Sequence, residues 1–234
     1  MIQHIAETPE ATASVFADFL LAQHAKKDQL SIALSGGSTP KLLFDILATD
    51  YQNLFEWKKL KLFWGDERCV PPDHADSNYL MTKEHLLSKV DIPESNIFRI
   101  RGEEDPAAEA IRYGQVMLNE LEVVNGLPVF DIMMLGLGTD GHTASIFPHE
   151  MELLKETSTC AVATHPDSGQ KRVSLSGPVI NHSRFVCFLA TGSSKKEKLT
   201  EIWNQSGNYL AYPASHIKNT HGSTHWFIDH AAAH

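Results

Sequence analysis

The chain has 234 residues, 42% of them hydrophobic and 21% charged, with a formal net charge of −9; this excludes a disordered or fibrous polymer and predicts one well-buried domain spanning residues 1–234. Acidic and basic residues interleave, so no basic face suits a nucleic acid or an anionic membrane, and a small anionic substrate must be met by locally gathered Arg, Lys and amide groups. Three widely spaced cysteines, Cys69, Cys160 and Cys187, suit neither a disulfide framework nor a thiolate metal site and fit a reducing cytoplasm.

The first 23 residues lack a basic n-region ahead of an apolar core. No segment approaches the roughly 20 apolar residues of a membrane span, so the expectation is a chain neither exported nor anchored. Val15, Phe16, Phe19 and Leu20 recur at helical spacing and predict a packing helix over about residues 9–26. "LSIAL" (30–34) reads as a buried strand, "SGGSTP" (35–40) as a turn, and "TPKLLFDIL" as a helix with Thr39 at the N-cap and Pro40 at its first position.

The unit recurs. "KLKLFW" (59–64) is a second strand, "GDERCVPPDHADSN" its loop, and residues 79–87 the next helix. "NIFRI" (96–100) is a third strand, followed by a helix over 105–121 capped by Asp105 with Pro106 first. "PVFDIMML" (128–135) reads as a fourth strand, buried on both faces. After Pro148 come three strand-like runs, "STCAVATH", "RVSLS" and "RFVCFLAT", then a helix "SKKEKLTEIWNQ" and the tail "HWFIDHAAAH". This alternation predicts an α/β fold, a mostly parallel sheet flanked by helices.

Three loops carry the chemistry. In "SGGSTP" the glycines permit close backbone approach and the helix start offers amides to a phosphate, although a plain capped turn has the same composition. The loop is neither a Walker nor a dinucleotide motif, which argues against ATP and NAD. Asp66, Glu67 and Arg68 fall past the carboxyl end of the second strand, where open α/β sheets bind ligands, yet three successive charges also suit a solvated loop. In "LGLGTDGHTASIFP" (135–148), Asp140 and His142 flank Gly141, and an imidazole titrating near neutrality suits a general base. Ser145 lies outside a G-x-S-x-G elbow, which disfavours covalent serine catalysis. His221 and His225 are four apart but lack a third ligand, and Cys69 lacks a histidine partner. Arg172 and Lys195 flank strand-like segments and suit contacts to a sugar phosphate.

Taken together, "LSGGSTP" (34–40), "WGDER" (64–68) with "SNY" (77–79), "GLGTDGHTASIFP" (136–148), "RVSLSGPVIN" (172–181), "TGSSK" (191–195), "PASHI" (213–217) and "WFID" (226–229) resemble the glucosamine-6-phosphate isomerase/6-phosphogluconolactonase family, on its lactonase branch. The resemblance implies a single-domain α/β fold of the ribose-5-phosphate isomerase/CoA-transferase-like type, with no metal and no organic cofactor. It implies hydrolysis of 6-phospho-D-glucono-1,5-lactone to 6-phosphogluconate, the second step of the oxidative pentose phosphate pathway, in the cytoplasm, by a monomer or small homo-oligomer. Carried over residue by residue, His142 is implied as the base that activates water, with Asp140 and Asp66 as acidic companions. Gly36, Gly37, Ser38 and Thr39 are implied as the substrate-contacting loop, and Arg68, Arg172 and Lys195 as cationic contacts.

Two alternatives differ from this in testable ways. Deaminases of the same group end this motif in an "AFNEP"-like run whose glutamate belongs to the catalytic set, whereas Phe147 stands at that place here. A non-catalytic sugar-phosphate sensor that reads DNA needs a nucleic-acid module, and neither a spare helical segment nor a basic patch is present. Tyr212 is a departure from the resemblance, standing before Pro213 where an apolar residue is more usual.

Overall fold

The computed structural model describes residues 1–234. Twelve strands alternate with seven α-helices. The first half contains β1 (Ile2–Ala6), α1 (Pro9–His24), β2 (Leu30–Leu34), α2 (Ser38–Thr49), β3 (Leu60–Trp64), β4 (Asp66–Arg68), α3 (Asn78–Thr82), β5 (Ile97–Phe98) and α4 (Pro106–Glu120). The second half contains β6 (Glu122–Val124), β7 (Leu127–Val129), β8 (Ile132–Leu135), β9 (Cys160–Thr164), β10 (Lys171–Leu175), α5 (Gly177–Asn181), β11 (Phe185–Ala190), α6 (Lys196–Asn204), β12 (Ser223–Asp229) and α7 (His230–Ala233).

Seven strands form the central sheet in the order β1-β12-β11-β8-β2-β3-β5, and every adjacent pair is parallel. The apolar runs of β2 and β8 are buried at every position, as strands covered on both faces must be. A single cluster of 50 buried hydrophobic residues surrounds this sheet. Side by side at its middle, β2 continues to β3 on one flank while β8 continues toward β11 on the other. That reversal opens a crevice above the carboxyl ends of the two strands.

Several expectations need correction. Gly37, not Thr39, is the N-cap of α2, so Thr39 and Pro40 lie inside the first turn. The run "PVFDIMML" divides into β7 and β8 at Asp131, whose amide donates to Ser31 Oγ instead of to a strand carbonyl. Asp131 Oδ2 accepts from the Ser31 amide and hydroxyl, while β7 folds back on β6. The third strand shortens to Ile97–Phe98, and the helix after Ser77 passes from α-geometry into a π-turn over Lys83–Leu87. Four strands were not anticipated: β1 at the sheet edge, β12 beside it in the C-terminal tail, β6, which pairs with β7, and β4, which pairs antiparallel with β10 in a small sheet beside the crevice. Tyr212 is accommodated by burying its ring and hydrogen-bonding its hydroxyl to Glu201 and Lys198 of α6.

Candidate active site

A polar cavity of about 310 Å³ occupies the crevice. Three strand ends build it. The loop after β2 contributes Ser35, Gly36 and Gly37, the loop after β8 contributes Gly136 to Thr139, His142 and Ala144, and the β4–β10 sheet contributes Asp66, Arg68 and Arg172. Lys195, at the start of α6, and Asn78, at the start of α3, complete the lining.

His142 owes its orientation to a short-range geometry that the sequence encodes. Its Nδ1 lies 2.6 Å from Asp140 Oδ1, which also accepts from the His142 amide at 3.1 Å. Nδ1 facing a carboxylate carries the proton, which leaves the lone pair of the neutral ring on Nε2. Nε2 makes no hydrogen bond within the protein. Gly138 permits this packing, because a Cβ there would come within 2.1 Å of His142 Nδ1. Burial pulls Asp140 upward, but the hydrogen bonds and charge of His142 outweigh it and hold the carboxylate at about 2. Behind the imidazole stands Phe147, fully buried, with ring centroids 4.9 Å apart.

The second carboxylate is Asp66, only 5% exposed. Its Oδ2 accepts from Ser145 Oγ at 2.6 Å and lies 4.0 Å from Arg172 Nη1. Register explains the grouping: Arg172 is opposite Arg68, and Ser174 is opposite Asp66. Burial pulls the Arg172 guanidinium downward, opposed by Asp66, and pulls Lys195 downward, opposed by Asp140. Three cations thus share one cavity with a single lining carboxylate, which concentrates positive potential inside a chain of net charge −9.

Of the residues singled out in the sequence, Gly36, Gly37, Asp66, Arg68, His142, Arg172 and Lys195 line this cavity. Asp140 bonds His142 but is not on the lining, and neither are Ser38 and Thr39. Thr39 Oγ1 instead meets Thr191 Oγ1 at 2.9 Å, tying α2 to the Lys195 loop. Within the His142 loop two amides are engaged by the protein itself, since Gly138 donates to the His142 carbonyl and Gly141 to that of Gly138. The Gly36, Gly37 and Thr139 amides have no protein acceptor. Cys69 is unsuited to nucleophilic work because burial, with Glu67 and Glu109 adding to it, pushes its thiol up to about 11. His221 rests on His182, whereas His225 hydrogen-bonds His4 and Ser223.

Three supporting residues had no role assigned to them from the sequence. Glu67, 2% exposed, accepts from the amides of Arg68, Asn78 and Tyr79 and from Ser77 Oγ, so it organises the turn that presents Arg68 and Asn78. Desolvation raises its carboxyl above the usual value, opposed by those amide bonds. Asn78 donates to the Asp66 carbonyl and presses so close to Gly36 that a Cβ there would lie 1.9 Å from Asn78 Oδ1. Asp229 accepts from the Gly192 amide at 2.9 Å and holds the loop leading to Lys195. The signal for the first two was the "SNY" run at a fixed distance from "WGDER".

The chain is similar in sequence and in fold to known proteins. Residues 4–226 match the family model described as glucosamine-6-phosphate isomerases/6-phosphogluconolactonase. The chain is 43% identical to a 6-phosphogluconolactonase of Treponema pallidum over 86% of its length and 84% of the relative's. It is 44% identical to one from Haemophilus influenzae over 86% and 85% respectively. A solved 6-phosphogluconolactonase structure from Leishmania guyanensis superimposes with a TM-score of 0.87 at 28% identity, covering 99% of this chain and 97% of that one.

Proposed function

The chain belongs to the glucosamine-6-phosphate isomerase/6-phosphogluconolactonase family, and from that premise we propose that it hydrolyses 6-phospho-D-glucono-1,5-lactone to 6-phosphogluconate with His142 as the general base. The observation that carries this reading is an imidazole whose Nδ1 is held by Asp140, set in one cavity with Arg68, Arg172 and Lys195. His142 Nε2 takes a proton from water as the water oxygen bonds to C1 of the lactone. Charge collects on the former carbonyl oxygen, where the free Thr139 and Gly36–Gly37 amides are available donors. Collapse re-forms the carbonyl and breaks the bond from C1 to the ring oxygen, which takes the proton from Nε2. The products are a free hydroxyl and a carboxylic acid that ionises, and His142 returns to its neutral form.

The cations are assigned to the substrate phosphate and Asp66 to a sugar hydroxyl. Phe147 supports lactone hydrolysis over deamination, because an apolar ring packed against His142 and 5.6 Å from the Arg172 guanidinium offers no carboxyl group for proton transfer. Purified protein is expected to accelerate the disappearance of freshly generated lactone above its spontaneous opening, in the presence of a chelator. Ammonia release from glucosamine 6-phosphate, with no effect on the lactone, would overturn this in favour of the deaminase.

A further inference from the structure

Ser145 has no part in the steps above, yet it joins the two halves of the site. It is fully buried, it follows His142 by three positions, and it sits in the Thr143–Ile146 bridge, where Ala144 takes a φ of 48°. Its amide donates to Ser174 Oγ at 3.2 Å, and Ser174 is the residue of β10 paired with Asp66. The backbone of Ser145 is therefore fixed against the same small sheet that carries Asp66. From there its hydroxyl donates to Asp66 Oδ2 at 2.6 Å, a charge-assisted bond in a buried setting. Arg172 approaches that same oxygen, at 4.0 Å. Both neighbours engage Oδ2, whereas Oδ1 receives no protein donor on a side chain that lines the cavity. A carboxylate held through one oxygen accepts through the other in a fixed direction.

We propose that Ser145 is a positioning residue that aims Asp66 Oδ1 at a hydroxyl of the sugar phosphate, and so sets the affinity of the cavity for a polyhydroxylated sugar phosphate. The inference rests on the lactonase reading for the identity of its ligand. A hydroxyl bound alike in ground and transition states contributes to KM rather than to kcat. Ser145→Ala is therefore expected to raise KM about tenfold while kcat stays within about twofold.

The deciding experiment is a double-substitution cycle read by calorimetric binding of 6-phosphogluconate, which needs no turnover. Ser145→Ala and Asp66→Asn each weaken binding about tenfold or more, and the double variant binds no more weakly than Asp66→Asn alone, since the serine acts only through the carboxylate. Wild-type binding by Ser145→Ala, unchanged binding by Asp66→Asn, or penalties that multiply in the double variant would overturn the proposal. A lowered melting temperature with unchanged binding would count against it equally. If the wild-type chain binds 6-phosphogluconate but leaves the lactone untouched, the hydrolysis reading falls, and the binding cycle still decides the role of Ser145.

Discussion

At the scale of single residues the decisive contact is the 2.6 Å approach of Asp140 to His142 Nδ1. Asp140→Asn can present an amide NH₂ to that nitrogen and favour the wrong tautomer, so kcat is expected to fall about 100-fold with little change in KM, as steady-state kinetics would show. The same pair has a pH signature. Asp140 falls from 3.8 to about 2 on folding, so its contribution to stability is complete above the unfolded value and is lost as pH falls from near 4 toward 2. The side chain is 41% exposed, so solvent screens the effect and keeps it small. Melting curves of wild type and Asp140→Asn should differ above pH 4 and converge below that window. A gap that is constant with pH would show that the carboxylate charge does not contribute.

At the scale of elements, the short β4 strand and α3 depend on Glu67. One buried carboxylate there satisfies three amides and a hydroxyl, tying together the segments that carry Arg68 and Asn78. Glu67→Gln keeps the volume but turns one acceptor into a donor facing other donors, which is expected to cost about 2–3 kcal/mol in urea denaturation. Because it frees Arg68 and Asn78, the same substitution should raise KM several-fold. Unaltered stability would mean that the turn is held by something other than this carboxylate. The N-cap of α4 is a simpler case. Asp105 accepts from the Ala108 amide, so Asp105→Ala should cost about 1 kcal/mol without affecting turnover.

At the scale of the whole molecule, the sequence made the parallel sheet and its carboxyl-end loops legible through largely apolar runs such as "LSIAL" and "IMML", each followed within two residues by glycine. It also brought His142, Asp66 and the three cations into view, because each stands beside one of the strand-like runs of the sequence. What stayed hidden depends on contacts distant in the chain. β1 is an edge strand with exposed positions and little apolar signal. The charges of "DER" concealed a strand because Glu67 is satisfied by residues ten to twelve positions later, and Asp66 by Ser145. Thr39 had the chemistry of a cap, but its hydroxyl is directed to Thr191, across 152 residues of chain.

In the proposed mechanism His142 carries the chemistry and the remainder of the cavity holds the substrate. The most direct test follows the disappearance of freshly generated 6-phosphogluconolactone with wild type and His142→Ala at equal concentration, after calorimetry has shown that both bind 6-phosphogluconate. His142→Ala is expected to lose about 10²- to 10⁴-fold in kcat with binding retained. A variant that still turns over at the wild-type rate would contradict this mechanism.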